Sequence, residues 1–458
     1  MKKLYKYIIV VTMVCTSFFA KAQNDGLGFT LLPQIPYLNY YNPGIKMPYN
    51  GMVGVAFSNI NVSMFNSSVD YKNIYGDSDD VIDAVKFANS LDDNNSINTN
   101  FSLDILNVGF RVEKLFFNID WRMRMNSGFT FSQDFVGLFV FGNAHYMGAD
   151  NPCDFNIGMD LAIFNEFAVG AQYEVNDKLT VGIRPKLLTG VANATVVNKG
   201  TQIFTDPNTF AMSANVDLDI KVSSLLQSDA EEIKDITKML DSTSVGDFFN
   251  FTENFGLGVD FGASYTINEH IGVAAGIYDL GYIKWTEAKV KKVNKQNVMV
   301  NDALFDDYND LKNFELDYES MLDDIVTNVW GDGSLEQGED YKTYLKTKLM
   351  VQGYYELNPM VRATAIGQMY FVKGKVHPAL PLAYRGSFWG HLALPVNCTM
   401  SQYTGTALGA GFGVHFGPFN LYAVTDNILS LTTIGTSALE MASTYRQTNA
   451  RLGIVWSW

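Results

Sequence analysis

Cysteine, histidine and positive charge are all in short supply. The 458-residue chain has three cysteines and five histidines, and its 33 Lys and Arg stand against 48 Asp and Glu, for a formal net charge of −15. Cys15 lies inside an early apolar stretch and follows Val14 rather than a small residue, which argues against lipidation there. Cys153 and Cys398 remain as a possible disulfide in an oxidising compartment, or equally as two free thiols, because sequence does not give their separation. No Cys-x-x-Cys spacing exists, and His145, His270, His377, His391 and His415 form no His-Glu-x-x-His or His-x-His pair, so no metal site is expected. Nucleophile-elbow, phosphate-loop and dinucleotide signatures are missing as well, so neither an enzyme nor a cofactor is expected. An acidic chain is a poor match for nucleic acid. Beyond the first residues no apolar run reaches the ~20 residues of a spanning helix.

The amino end is different. Lys2, Lys3 and Lys6 precede an apolar stretch from Tyr7 to Ala20, followed by Ala20-Lys21-Ala22. This is the pattern of a secretory signal, residues 1–22, cut near Ala22–Gln23. Loss of Lys2, Lys3, Lys6 and Lys21 takes the net charge from −15 to −19.

What the chain has in quantity is aromatic side chains (24 Tyr, 32 Phe) and 38 glycines. They sit in segments of period two. Phe117, Ile119, Trp121, Met123 and Met125 alternate with Asn118, Asp120, Arg122, Arg124 and Asn126. Met212, Ala214, Val216, Leu218, Ile220 and Val222 continue a face begun by Phe210, and Leu257, Val259, Phe261, Ala263 and Tyr265 make another. Such alternation defines half-buried strands. Many runs span 10 to 14 residues, whereas soluble strands are commonly ~5–6 and tilted membrane strands need ~9–11. Tight turns at Glu113-Lys114, Asn176-Asp177, Asn268-Glu269, Asn358-Pro359 and Gly417-Pro418 alternate with long polar connections at 66–98, 128–154, 223–254, 287–345 and 428–446. Short turns at one end and long loops at the other describe an outer-membrane barrel.

The expected fold is therefore all-β: a single transmembrane antiparallel β-barrel over 52–458, preceded by an N-terminal segment, 23–51, that leads into the barrel or partly plugs it. The pattern divides into about sixteen strands. Fourteen is the runner-up, reached by removing the hairpin 193–222. A soluble periplasmic sandwich that binds a ligand is the alternative that strand length disfavours. Short helices are expected in the extracellular loops, at Asp79–Leu91 and Leu225–Leu240. The stretch 301–340 carries thirteen acidic residues and one lysine; it lacks calcium-loop spacing and reads as a solvated outer loop, at most weakly bridged to lipopolysaccharide by divalent ions.

The last strand runs to the final residue. Leu452, Ile454, Trp456 and Trp458 form its apolar face and are expected to meet lipid, with Trp121 and Trp285 as further interfacial girdle candidates. If apolar faces point outward, Asp120, Arg122, Arg124, Asp160, Arg184, Lys186, Asp217, Asp219, Lys221 and Asp260 point inward. They are either a solute pathway or a network of mutually neutralising charges; the cost of unpaired buried charge favours the network. Asp279 and Lys284 flank Gly281, where a bulge is the expected structural role. The ligand candidates are thus Arg122, Arg124, Arg184, Lys186, Asp260 and Asp279.

Several phrases carry a resemblance: "YYNPGIKMP" (40–48), "NDKLTVGIRPKLLTGVANATV" (176–196), "FTDPNTF" (204–210), "GLGVDFGASYTINEHIGVAAGIYDLGYIKW" (256–285), "GPFNLYAVTDNI" (417–428) and "ARLGIVWSW" (450–458). Together they resemble an uncharacterised family of Bacteroidota outer-membrane barrels, distantly similar to FadL-type transporters and to the PorV-type barrel of type IX secretion. The resemblance implies a place in the outer membrane and passage of a small molecule, with a hydrophobic cargo suggested by the FadL type. A PorV-like accessory barrel that docks secreted or surface proteins is the alternative. The implied partners are membrane lipid, lipopolysaccharide and the barrel-assembly machinery, which reads a terminal aromatic strand; Trp458 stands where Phe is commoner.

Overall fold

A computed structural model describes residues 36–56, 58–67, 83–224, 254–300, 334–358, 361–372, 375–388, 391–401, 405–429 and 447–458. The expected signal segment 1–22, the expected helix 225–240 and the acidic stretch 301–333 lie outside the described residues.

The strands of the wall follow in chain order. β1 is one strand in two pieces, Gly51–Val55 and Asn59–Asn66; β2 is Asn94–Val112, β3 Leu115–Ser132, β4 Ile157–Glu174 and β5 Leu179–Asn198. β6 is Phe255–Thr266, β7 Ile271–Trp285, β8 Thr347–Asn358, β9 Val361–Val372 and β10 Lys375–Phe388. β11 is Leu392–Ser401, β12 Gly405–Phe416, β13 Phe419–Thr425 and β14 Gln447–Ser457. Each pairs antiparallel with the next, and β14 returns to both pieces of β1 (Val53↔Trp456, Ile60↔Leu452), so among the described residues fourteen strands close a ring. A two-layer sandwich is thereby excluded.

The ring corrects the division into sixteen. Residues 193–198 continue β5 as one 20-residue strand. Gln202–Thr205 and Met212–Ser224 leave the wall and build an upper sheet: Met212–Ser224 lies between the far half of β5 and Lys289–Val300. The apolar face of Met212–Ser224 meets protein, not lipid. Val216, Leu218 and Ile220 are buried with Phe131, Leu138 and Phe155. Lipid-facing and core-facing strands share the same period, so alternation alone does not separate them.

Two helices cover this sheet. α1 (Ala84–Ser90) lies within the stretch Asp79–Leu91 where a helix was expected and begins five residues later; the Asp83 carboxylate accepts from Lys86 N–H at 2.9 Å as its N-cap. α2 (Gln133–Phe141), capped by Ser132, falls in a stretch expected to be loop. Its "DFVGLFVF" is apolar nearly all round, which suits a helix enclosed by α1 and the upper sheet.

Along the wall, side chains alternate between lipid-type and interior surfaces. In β14, Leu452, Ile454, Trp456 and Trp458 are each about half exposed, whereas Arg451, Gly453, Val455 and Ser457 are buried. In β6, Leu257, Phe261 and Tyr265 are exposed and Asp260 is wholly buried. β3, with 18 residues, is longer than an apolar band ~25 Å tall requires at a tilt of ~40°, so its far end rises into the upper sheet. The two-residue turns use backbone of positive φ, at Glu113 (51°) and Gly417 (59°).

Candidate functional site: the filled lumen

Fourteen strands at ~4.8 Å spacing and ~40° tilt give a radius of ~14 Å to the strand axes. Wall side chains alone do not fill such a cylinder; even eight strands suffice to hold a small ligand. Two things occupy this interior: a charge network and the segment 36–50.

The network is built by period-two projection from five adjacent strands. β3 contributes Asp120, Arg122 and Arg124, β4 Glu166, β5 Arg184 and Lys186, β6 Asp260 and β7 Asp279. Arg184 is wholly buried and donates to Asp120 (2.9 Å), Glu166 (2.8 Å) and Asp260 (3.0 Å). Arg124 holds Asp279 with two bonds, at 2.8 and 2.9 Å, and Glu166 at 2.7 Å. Arg122 reaches Glu166 at 2.5 Å, and Lys186 reaches Asp260 at 2.6 Å and Asp279 at 2.8 Å. Four cations face four carboxylates. Ions buried this deeply persist only with matched partners in good geometry.

The structure thus brings together all six ligand candidates, Arg122, Arg124, Arg184, Lys186, Asp260 and Asp279, with Asp120. Sequence reasoning missed Glu166, which receives three arginines. A register shift between Ile163 and Phe164 breaks the alternation of β4. Phe164, Asn165, Glu166 and Ala168 are all buried, so no clean polar face advertises the glutamate. Asp279 lies at the expected irregularity: its φ is +59°, the β6–β7 register shifts beside it, and its N–H donates to Asp260 at 2.8 Å. Lys284 points elsewhere and pairs with Asp340 at 2.7 Å, both largely exposed.

Other expectations need correction. Asp217 and Asp219 lie in the upper sheet, outside the lumen, where Lys199 pairs with Asp219 at 2.6 Å. Lys221 belongs to the same strand, over the Tyr341 ring, and Asp160 lies in the upper part of β4 opposite Gly128 and Thr195. Trp285 is not in a girdle: it is 0% exposed, packs with Phe164, Leu188 and Ile283, and donates to Thr343 Oγ1 at 2.7 Å. β7 crosses its bulge before this residue, which turns the indole inward. Trp121 does lie on the outward face, stacked on Phe167 at 5.4 Å. Cys153 and Cys398 are free thiols: Cys153 is buried under α2 beside the Asp134 carbonyl, and Cys398 lies in β11. Burial pushes the Cys153 thiol well above its usual range.

The inner segment enters as a 3-10 turn, Pro36–Tyr40, followed by Tyr41-Asn42-Pro43-Gly44. Tyr40 donates to Asp104 at 2.6 Å, and its ring lies beneath the guanidiniums of Arg122 (3.9 Å) and Arg184 (4.9 Å). Asn42 donates to the carbonyls of Ala263 (3.3 Å) and Ala275 (3.0 Å), while its own carbonyl accepts from Gly44 N–H at 2.8 Å. This close approach to the wall has a cause in sequence. Gly182, Gly262 and Gly276 are cross-strand partners in one row over β5, β6 and β7. A Cβ on Gly262 would lie 1.8 Å from Asn42 Oδ1, and one on Gly182 would lie 2.1 Å from the Pro43 carbonyl oxygen. Gln172 donates to the Pro43 carbonyl at 2.9 Å, and Ser264 to that of Gly44 at 2.6 Å. At the turn end, Arg111 donates to the Met47 carbonyl at 2.5 Å and pairs with Glu174.

Between the segment and the network's loop side lies a cavity of about 60 Å³, bordered by Tyr41, Arg124, Tyr278, Lys348 and Arg451. Among the described residues no cluster of histidine, cysteine and carboxylate side chains is placed to hold a metal.

Ring closure, an apolar exterior and a polar filled interior define a transmembrane β-barrel. The chain belongs to the family of unknown function DUF5723, whose profile matches residues 43–426. No curated protein matches it. Among solved structures it is similar to a Pseudomonas aeruginosa FadL homologue, at 9% identity over 96% of this chain and 99% of that one, with a TM-score of 0.43. It is similar to the Ralstonia pickettii toluene transporter TbuX at 12% identity, 93% and 94% coverage and a TM-score of 0.40. The Pseudomonas putida toluene transporter TodX gives 9% identity, 92% coverage of both chains and a TM-score of 0.40.

Proposed function

We infer that this protein is an outer-membrane barrel that passes a small molecule, and that passage requires residues 36–50 to leave their seat. The observation that carries the reading is the kind of filling. Beside the charge network of the wall, the interior is closed by a separate stretch of chain, held by side-chain and carbonyl hydrogen bonds on a row of glycines. A filling of this kind can leave while the wall's hydrogen-bond ladder stays whole. The apolar belt supports a place in lipid, in contact with lipopolysaccharide on the loop side, and β14 is the strand the assembly machinery would read. The leader would be cut near Ala22–Gln23, a point N-terminal sequencing of the mature protein decides. The FadL-type resemblance favours a hydrophobic cargo.

Reconstitution into liposomes tests the reading. Wild-type protein is expected to pass small solutes slowly, and a chain lacking residues 36–48 at least tenfold faster. Equal permeability of the two, with both barrels folded, would remove the proposal.

A further inference from the structure

We propose that the wall pocket now filled by the Tyr40 side chain is a binding site for a phenol, open to a hydroxylated aromatic solute when residues 36–50 leave their seat. The inference rests on the passage reading and deepens it, since it names the chemical class of a solute held in the opened lumen.

The pocket belongs to the wall. Asn59 comes from β1, Asp104 and Asn107 from β2, Arg122 from β3 and Arg184 from β5. Both hydrogen-bonding roles of a phenolic hydroxyl are met: that of Tyr40 donates to Asp104 Oδ2 at 2.6 Å and accepts from Asn107 Nδ2 at 2.7 Å. The ring lies under two guanidiniums, 3.9 Å from that of Arg122 and 4.9 Å from that of Arg184. A cation over an aromatic face attracts it, and more strongly where both are desolvated. Tyr40, Asp104, Asn107 and Arg184 are all buried.

Asp104 differs from the acids of the charge network. Asp120, Glu166, Asp260 and Asp279 are each ion-paired. Among the described residues Asp104 makes no ion pair, and its oxygens accept from the Tyr40 hydroxyl and, at 3.2 Å, from the Asn59 amide. A buried carboxylate short of a donor is costly. Departure of Tyr40 therefore leaves a place that a hydroxyl fills and a hydrocarbon does not. Water can supply the hydrogen bond, but not the ring that the two guanidiniums face.

The pocket also keeps its shape without the segment. Arg184 is held by Asp120, Glu166 and Asp260, and Arg122 by Glu166. Asn107 donates to Asp120, and Asn59 accepts from the Tyr422 hydroxyl at 2.7 Å. All of these partners are wall residues, so the donors and acceptors are placed before a solute arrives, and binding costs them little freedom.

The matching probe is p-cresol, which is the tyrosine side chain as a free molecule. Toluene lacks the hydroxyl, and 4-methylanisole has its oxygen capped, so neither donates to Asp104. Titration calorimetry in detergent tests the pocket in the full chain carrying Tyr40→Gly, with the wild-type chain, its pocket filled, as the blank for uptake by micelles. p-Cresol is expected to bind Tyr40→Gly, and toluene and 4-methylanisole at least tenfold more weakly. Tyr40→Phe keeps a ring in the pocket and should give no more heat than wild type. Asp104→Asn added to Tyr40→Gly exchanges a charged acceptor for a neutral one and should weaken p-cresol about tenfold. The chain lacking residues 36–48 should bind p-cresol as Tyr40→Gly does, and it serves as the opened chain should Tyr40→Gly not fold. Failure of p-cresol to bind a folded opened chain, equal binding of toluene or 4-methylanisole, or undiminished binding after Asp104→Asn would each overturn the pocket. Liposome flux through the chain lacking residues 36–48 without p-cresol binding removes the pocket and leaves passage standing; binding without flux removes passage and leaves the pocket.

Discussion

Trp458 and Gly51 are joined by two backbone hydrogen bonds: Trp458 N–H donates to the Gly51 carbonyl at 2.9 Å, and Gly51 N–H to the Trp458 carbonyl at 3.0 Å. The final residue therefore closes the ring. A Cβ on Gly51 would lie 2.4 Å from the Trp458 indole, so Gly51→Val must push the ring off the seam, at a cost of about 1–3 kcal/mol. Deletion of residues 456–458 also removes the Phe419–Trp456 stack at 5.4 Å. The deletion is expected to abolish the heat-modifiable folded band on a gel, whereas Gly51→Val should lower the temperature at which that band is lost.

Glu166 is the hub of the charge network, because Arg122, Arg124 and Arg184 all donate to it. Glu166→Gln removes one negative charge from a balanced set and leaves three buried guanidiniums short of it. A destabilisation of about 3–5 kcal/mol is expected, read as a shift of the urea unfolding midpoint in detergent. Asp219→Asn, at a partly exposed pair in the upper sheet, should cost at most about 1 kcal/mol.

The glycine row predicts how the lumen can be opened. Gly262→Val places its side chain where Asn42 now lies and should unseat the segment. Asn42→Ala removes its bonds to Ala263 and Ala275 and leaves two carbonyls to find other donors, at roughly 1–3 kcal/mol. Both variants are expected to raise single-channel conductance in planar bilayers, Gly262→Val more than Asn42→Ala, with heat-modifiable mobility retained.

The thiols should be independent. Intact mass after denaturing alkylation without reductant is expected to show one adduct on Cys153 and one on Cys398. In the folded barrel, burial keeps the Cys153 thiol protonated through pH 8, so it should resist maleimide until the upper sheet is unfolded.

Tryptophan quenching separates inward from outward indoles. Brominated phospholipids are expected to quench Trp456 and Trp458, which are 51% and 61% exposed, and to leave Trp285 bright. Single-tryptophan variants in nanodiscs read this directly.

Much of the fold was legible because a membrane strand writes its two environments into alternate residues. Leu257, Phe261 and Tyr265 against Asp260, and Ile119 and Trp121 against Asp120 and Arg122, fix both the strands and their inward sides. The same signal failed where its cause differed. Met212–Ser224 alternates as a lipid-facing strand does, yet its apolar side packs on α2 and Phe155, because a protein core and hydrocarbon reject polar groups alike. Trp285 was misplaced because the bulge at Asp279 turns β7 after the period has been counted.

Side-chain period, strand length and the asymmetry of short turns and long loops together pointed to a closed barrel with charged residues turned inward, since hydrocarbon admits no unpaired backbone and no unpaired charge. Which charges meet was decided only in three dimensions. Glu166 meets Arg122 because the β3–β4 register sets them opposite, Arg184 reaches it diagonally from β5, where Leu188 is the register partner, and the lumen is filled because glycines on three separate strands happen to share one row. Register is a property of the assembled wall, and no single strand carries it.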